Sequence, residues 1–376
     1  MKIIAFYLPQ FHRTKENDEW WGEGFTEWVN MKKAKKLYDN HYQPRIPLNK
    51  NYYDLLDVSV MKKQTELAKK YGIYGFCVYH YWFEGRQLLQ KPMENFLKAD
   101  DIDFPFCFCW ANETWTAAWA TNSKHPKVLM EQTYGQQEAW KRHFEYLLPF
   151  FKDKRYIKND NKPLFVIYRP EQIPCLNEML DYLNELAMQH GFGGIEFASQ
   201  QKEFHIKKFD DTRFKYKIEY QPDVAQYDIQ SSVRRCIDSL KERIILLSQK
   251  YLKVSIIKIK SLIVVDYDKV WKAILSRVPK DDKMLPGAFV DWDNTPRYGK
   301  KGKVIQGAHP DKFYKYMKQQ IIHARDDYKK DMLFLFAWNE WAEGGYMEPD
   351  EKYQYGYLEA LKKALEETDE YVREDS

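Results

Sequence analysis

The sequence predicts a (β/α)₈ barrel, an α/β fold of one domain with elaborated βα loops. Short apolar runs alternate with amphipathic stretches along the chain, and eight such runs can be counted. The runs are continuously apolar, as expected for parallel strands buried on both faces. A doubly wound sheet would also alternate strand and helix. Here, however, the first run is followed by "YLPQFHR" and not by a glycine-rich phosphate loop. The 376 residues suit a barrel with loop insertions. No break in composition, internal repeat or low-complexity stretch marks a second domain, so residues 1–376 are expected to form one unit, with a divergent segment at about 202–270.

The chain opens on "IIAFYLP", the first strand, followed by a long polar and aromatic loop. "VSVMKKQTELAKKYG" has helical periodicity and ends at a glycine, leading into "IYGFCVYHYWF". "MENFLKA" precedes "FPFCFCWANETW". The helical "QEAWKRHFEYLLPFF" comes before "PLFVIYRP", and "LNEMLDYLNELAMQHG" is a helix closed by Gly191 before "GIEFASQ". Then follow "YKIEYQP", "LPGAFVDWDNTPR" and "MLFLFAWNEWAEGG". Strands are predicted near 3–8, 74–80, 104–110, 164–168, 194–199, 215–220, 286–291 and 332–338.

In a barrel the strand ends and the loops after them meet at one face. Those positions carry Tyr7 and His12; His80, Tyr81 and Trp82; Trp110, Asn112 and Glu113; Tyr168 and Arg169; Asp291, Trp292 and Asp293; and Trp338, Asn339, Glu340, Trp341, Glu343 and Tyr346. Repeated polar and aromatic residues at strand ends point to a binding face. Glu340 and Glu343 are the candidate reacting pair. A continued strand would send them to opposite faces, and Gly344 and Gly345 break a helix. A turn at the strand end would bring both carboxylates into one pocket, where their proton affinities separate and one can act as acid, the other as base. Carboxyl groups roughly 5–9 Å apart serve glycosidic chemistry.

In the long first loop, Trp21 and Trp28 either stack on sugar faces, with Glu27 bonding hydroxyls, or plug the barrel. Asp291, Asp293 and Arg297 either hold a sugar or pair with one another. Glu196 is either a barrel acid or a helix-facing residue. The composition includes 12 Trp, 28 Tyr and 22 Phe, suited to sites where flat rings need a polar edge. The net charge, 59 − 55 = +4, is too small to make nucleic acid a partner. The five cysteines form no CxxC pair and are expected as free thiols; no metal or cofactor motif stands out. Neither a signal peptide nor a membrane span is expected, which reads as cytoplasmic. The basic, apolar stretch 241–265 is either a patch for peripheral membrane contact or an outer helix followed by a packing strand.

Taken together, "AFYLPQFH…WWGEGFTEW", "YGFCVYHYWF", "CWANETWT", "DWDNTPR" and "FAWNEWAEGGYMEP" resemble the WbsX-type proteins of bacterial polysaccharide loci, which are glycoside hydrolase family 99-like. The resemblance runs from residue 3 to about 362. It implies a barrel acting on α-linked, mannoside-like glycans with retention. It also implies that Glu340 deprotonates the sugar 2-hydroxyl while Glu343 serves as acid and then base. Family 99 usually has histidine between the tryptophan and the second glutamate, where this chain has Ala342. The competing expectations are a glycosyltransferase, with "DWDN" as its DxD-like candidate, and a non-catalytic glycan-binding barrel.

Overall fold

The computed structural model of the protein describes residues 1–117, 127–201, 209–229 and 262–371. Eight parallel strands form the barrel: β1 (Lys2–Tyr7), β2 (Ile73–Phe83), β3 (Phe106–Trp110), β4 (Lys162–Ile167), β5 (Glu196–Gln201), β6 (Phe214–Glu219), β7 (Met284–Leu285 and Gly287–Phe289) and β8 (Met332–Phe336). The expected (β/α)₈ architecture is present, and each predicted strand overlaps an observed one. Neighbours in sequence pair in space, and β1 also pairs with β8, Ile3 opposite Leu333.

The seventh strand is split for a physical reason. Pro286 has no N–H to donate. The residues before it pair only with β6 (Lys217 opposite Met284), and those after it pair with β8 (Gly287 opposite Phe334). The ring closes through this proline. Gly287 lets the strands meet there, since a Cβ would lie 1.9 Å from the Glu219 carbonyl oxygen.

Among the described helices, α1 (Lys15–Trp21) and α2 (Glu27–Lys33) lie in the β1 loop, and α3 (Val58–Lys70) and α4 (Lys91–Lys98) follow as the first outer helices. Next come α5 (Gln137–Lys152), α6 (Leu176–Gln189), α7 (Asp223–Ile229) and α8 (Tyr267–Leu275). The short α9 (Thr295–Tyr298) is followed by α10 (Pro310–Asp326) and α11 (Gly356–Glu366). Start signals are local: the Asp57 side chain accepts from the Ser59 N–H at the head of α3, and Pro310 opens α10.

On most of the strands both faces are buried, β6 with Lys215 exposed being an exception. On β3, Cys107 and Cys109 face the barrel interior, where they neighbour Cys77. Phe106 and Phe108 pack outward on Phe150 of α5. Glu196 is buried at the start of β5 and accepts from Asn159 at 3.1 Å. Most of the stretch expected as a membrane patch, 241–261, lies outside the described residues. Ile263–Asp266 forms a strand beside Lys303–Gln306, the packing-strand alternative for its end. No helix of the described residues is long and apolar enough to cross a membrane.

The Gly287→Ala substitution is predicted to destabilise the fold by roughly 3 kcal/mol or more, because the contact it creates is with backbone. Urea denaturation of the two forms measures this.

Candidate functional site

The turn after β8 answers what two glutamates do at the end of an aliphatic run. Asn339–Glu340 pairs antiparallel with Gly345–Tyr346, and Trp341–Glu343 forms a 3₁₀ turn between them. Gly344 closes it at φ 70°, where an added Cβ would meet the Asp293 backbone nitrogen at 2.8 Å. The turn is tied to β1 by a two-way clamp: Leu8 N–H donates to Asn339 Oδ1 (2.7 Å), and Asn339 Nδ2 donates to the Leu8 carbonyl (3.0 Å). Trp341 is pinned beneath, stacked on Tyr346 at 3.8 Å with Nε1 donating to Glu348 at 2.6 Å. Thus fixed, Glu340 and Glu343 both line one cleft of ≈ 510 Å³ at the carboxyl ends of the strands.

Arg297 joins the carboxylates. At the end of α9, it donates from Nη1 to Glu343 (2.8 Å) and from Nη2 to Glu27 (3.1 Å), and Nη2 lies 4.0 Å from Glu340. Burial disfavours its charge, but Glu27, Glu343 and Glu340 outweigh that and hold it firmly protonated. Glu27 begins α2, so this network joins the first loop to the last two.

Of the predicted residues, Tyr81, Glu113, Tyr168 and Trp292 line the cleft with the two glutamates. Trp21 and Glu27 line an adjoining cavity of ≈ 290 Å³ that shares Glu113 and Arg297 with it. Tyr79, Tyr81, Tyr168 and Tyr220 face the cleft with their hydroxyls driven far toward the protonated form, chiefly by burial, so they can act as donors.

The others are held elsewhere. On β2, alternation sends Tyr79 and Tyr81 inward but His80 and Trp82 outward. His80 lies 2.9 Å from His143 of α5, and burial pulls both imidazoles down, His80 to about 3, so both are neutral. Trp110 has the same outward parity and packs on His143. Tyr7 also faces outward, its hydroxyl donating to Gln64 of α3. Trp28 packs on Phe11 and Trp341, a plug and not a cleft wall. His12 is buried without lining the cleft. Asn112 repeats the Asn339 device, clamping the Arg169 backbone at 2.8 Å in both directions, while the Arg169 side chain pairs with Glu113 and Glu171. Asp291 and Asp293 pair inward: Arg45 lies 2.8 Å from Asp291, and His41 lies 2.8 Å from Asp293. Tyr346 donates to Asp350.

Sequence reasoning missed Tyr79, Tyr220, Gln10, Trp115 and Asp223 as cleft residues. Strand parity would have found Tyr79. Among the described residues, no group of three or more His, Cys, Asp or Glu is placed to hold a metal.

Glu348 is buried and accepts from Gln64 (2.7 Å), Tyr53 (2.8 Å) and Trp341 (2.6 Å), yet burial outweighs these donors and pushes it up to about 7 from 4.5. The native state therefore keeps a proton that the unfolded chain has lost. This contribution is full below pH 4.5 and disappears as pH rises through 7, amounting to about 3 kcal/mol. The Glu348→Gln variant is predicted to lose less stability than the parent between mildly acidic and mildly alkaline pH, as read by urea midpoints.

Residues 3–361 match the family model described as "Glycosyltransferase WbsX". Proteins of two strains of Xanthomonas campestris pv. campestris, described as "Uncharacterized protein WxcX", are 31% identical over 365 residues, 96% of this chain. The chain spans about half of their length, 49%. Among solved structures, the GH99 endo-alpha-mannosidase from Bacteroides thetaiotaomicron superposes with a TM-score of 0.55 at 13% identity, covering 98% of each chain. A structure described as "Glycoside hydrolase-like protein" gives 0.57 at 12% identity, covering 96% of this chain and 93% of that one. These likenesses show the shared barrel fold.

Proposed function

The chain belongs to the WbsX glycosyltransferase family, and we propose that it acts on an α-linked, mannoside-like glycan by retaining chemistry, with Glu340 and Glu343 as the reacting carboxylates. The carrying observation is that one rigid turn presents both carboxylates to one cleft, with Arg297 between them. The barrel shared with the GH99 endo-alpha-mannosidase supports the substrate class.

In this reading Glu340 removes the proton of the sugar 2-hydroxyl as O2 attacks C1. The C1–O bond to the leaving group breaks, and Glu343 gives its proton to the departing oxygen. Water then opens the 1,2-anhydro sugar at C1, losing a proton to Glu343 while Glu340 returns one to O2. Glu343 must be protonated to act first as an acid, and an arginine at 2.8 Å favours the carboxylate. Bound substrate is thus required to loosen this pair. The hydroxyls of Tyr79, Tyr81, Tyr168 and Tyr220 supply donors for the sugar.

The lining residues include four carboxylates (Glu113, Asp223, Glu340, Glu343) and two cations (Arg297, Lys303), a balance of 2 − 4 = −2. This favours a neutral glycan over a uronate-bearing one. The family description favours a second reading, glycosyl transfer, which we place in the assembly of a surface polysaccharide. A nucleotide-diphosphate donor would bring further negative charge into the cleft, so this reading suits a donor activated otherwise or a cation that accompanies it.

Turnover on α-mannosyl and related neutral oligosaccharides, followed by NMR, tests the proposal. Release of a sugar with retained configuration is expected, falling at least a hundredfold (roughly 10²–10⁴) in Glu340→Gln and Glu343→Gln. Product of inverted configuration, or undiminished turnover in both variants, contradicts it. In Arg297→Met, loss of the cation makes Glu343 harder to deprotonate, so the alkaline limb of kcat/KM is predicted to move to higher pH.

A further inference from the structure

A second cavity of ≈ 670 Å³ shares no lining residue with the cleft, yet takes Trp341, which lies between Glu340 and Glu343 in the chain, as part of its wall. Its other ring walls are Tyr52, Tyr53, Trp338 and Tyr355. Gln64 and Glu348, both more than nine-tenths buried, are among its lining residues, as are the exposed Asn49, Asn51 and Lys63. Its size falls within the roughly 300–1,000 Å³ of small-molecule sites.

Two features set this cavity apart from an ordinary surface fold. Asn49 and Lys50 at its edge are consecutive non-glycine residues in left-handed conformation (φ 56° and 54°). Left-handed backbone at non-glycine residues is uncommon and persists where the surrounding structure enforces it. Tyr355 is a large ring left 38% exposed, braced by stacking on Tyr71 at 6.3 Å. Flat rings beside amides and a carboxyl group match a pyranose, whose C–H face is apolar and whose edge is a row of hydroxyls.

We infer that this cavity is a second glycan-binding site, which holds a length of neutral oligosaccharide apart from the reacting linkage. Its occupant would touch the far side of the segment that carries the reacting pair, through Trp341 and Glu348. The inference goes beyond the proposed reaction and stands without it, since a barrel that only binds glycans would use the same walls.

Hydrogen–deuterium exchange on the full chain tests it, using neutral α-linked manno-, gluco- and rhamno-oligosaccharides from tetra- to hexasaccharide as probes. Protection is expected over residues 47–53 and 60–67, persisting in Arg297→Met. Binding to these segments is expected to weaken about tenfold in Tyr355→Ala and in Asn51→Ala, both changes at exposed positions. Protection confined to the cleft segments would overturn the second site and leave the proposed reaction standing. Protection confined to 47–53 and 60–67 would support the second site and count against the reaction. Absence of protection in both regions with every probe would overturn both.

Discussion

Arg297 keeps its charge inside the cleft because Glu27 from the first loop and Glu343 and Glu340 from the β8 turn converge on it. A buried ion stripped of its partners costs several kcal/mol, so the loops bearing these residues are not free to settle independently. The β1 loop supplies Glu27 at the head of α2, the β7 loop supplies Arg297, and the β8 turn supplies the other two acids. Electrostatic satisfaction and the shape of the cleft are therefore one requirement. In the proposed reaction the same pairing sets a protonation problem, since it favours the ionised form of Glu343, the group that reading uses as an acid.

A second set of contacts lets this network keep its geometry. Asn339 and Asn112 each bond both backbone groups of a neighbouring strand end, fixing the turn they begin. Arg45 reaches from the first loop to Asp291 and also donates to the Gly344 carbonyl at 3.0 Å, binding the β7 and β8 loops from below. Trp341 anchors the underside of the turn to Glu348. Glu340 and Glu343 are thus held in part by residues that do not line the cleft.

The strands were legible because a parallel barrel buries both faces, which leaves continuous apolar runs in the sequence. That same property hid which strand-end residues face inward. In "YHYW" every side chain suits burial, so composition gives no sign that Tyr79 and Tyr81 enter the cleft while His80 and Trp82 meet α5. The glutamate pair could be read because two glycines after it rule out a continued helix and demand a turn. The partnership of Glu27 with Arg297 spans 270 positions and leaves no local trace. The role of Glu348 was equally hidden, since its burial depends on Tyr53, Gln64 and Trp341 arriving from other elements.

A crystal structure of the Glu343→Gln variant with a neutral α-mannosyl oligosaccharide tests the central claim most directly. The scissile linkage is expected across the turn, with the Glu340 carboxylate about 3 Å from O2 of the sugar and the residue 343 side chain within hydrogen-bond reach of the glycosidic oxygen. An oligosaccharide ordered in the cleft with its linkages away from both residues would contradict it.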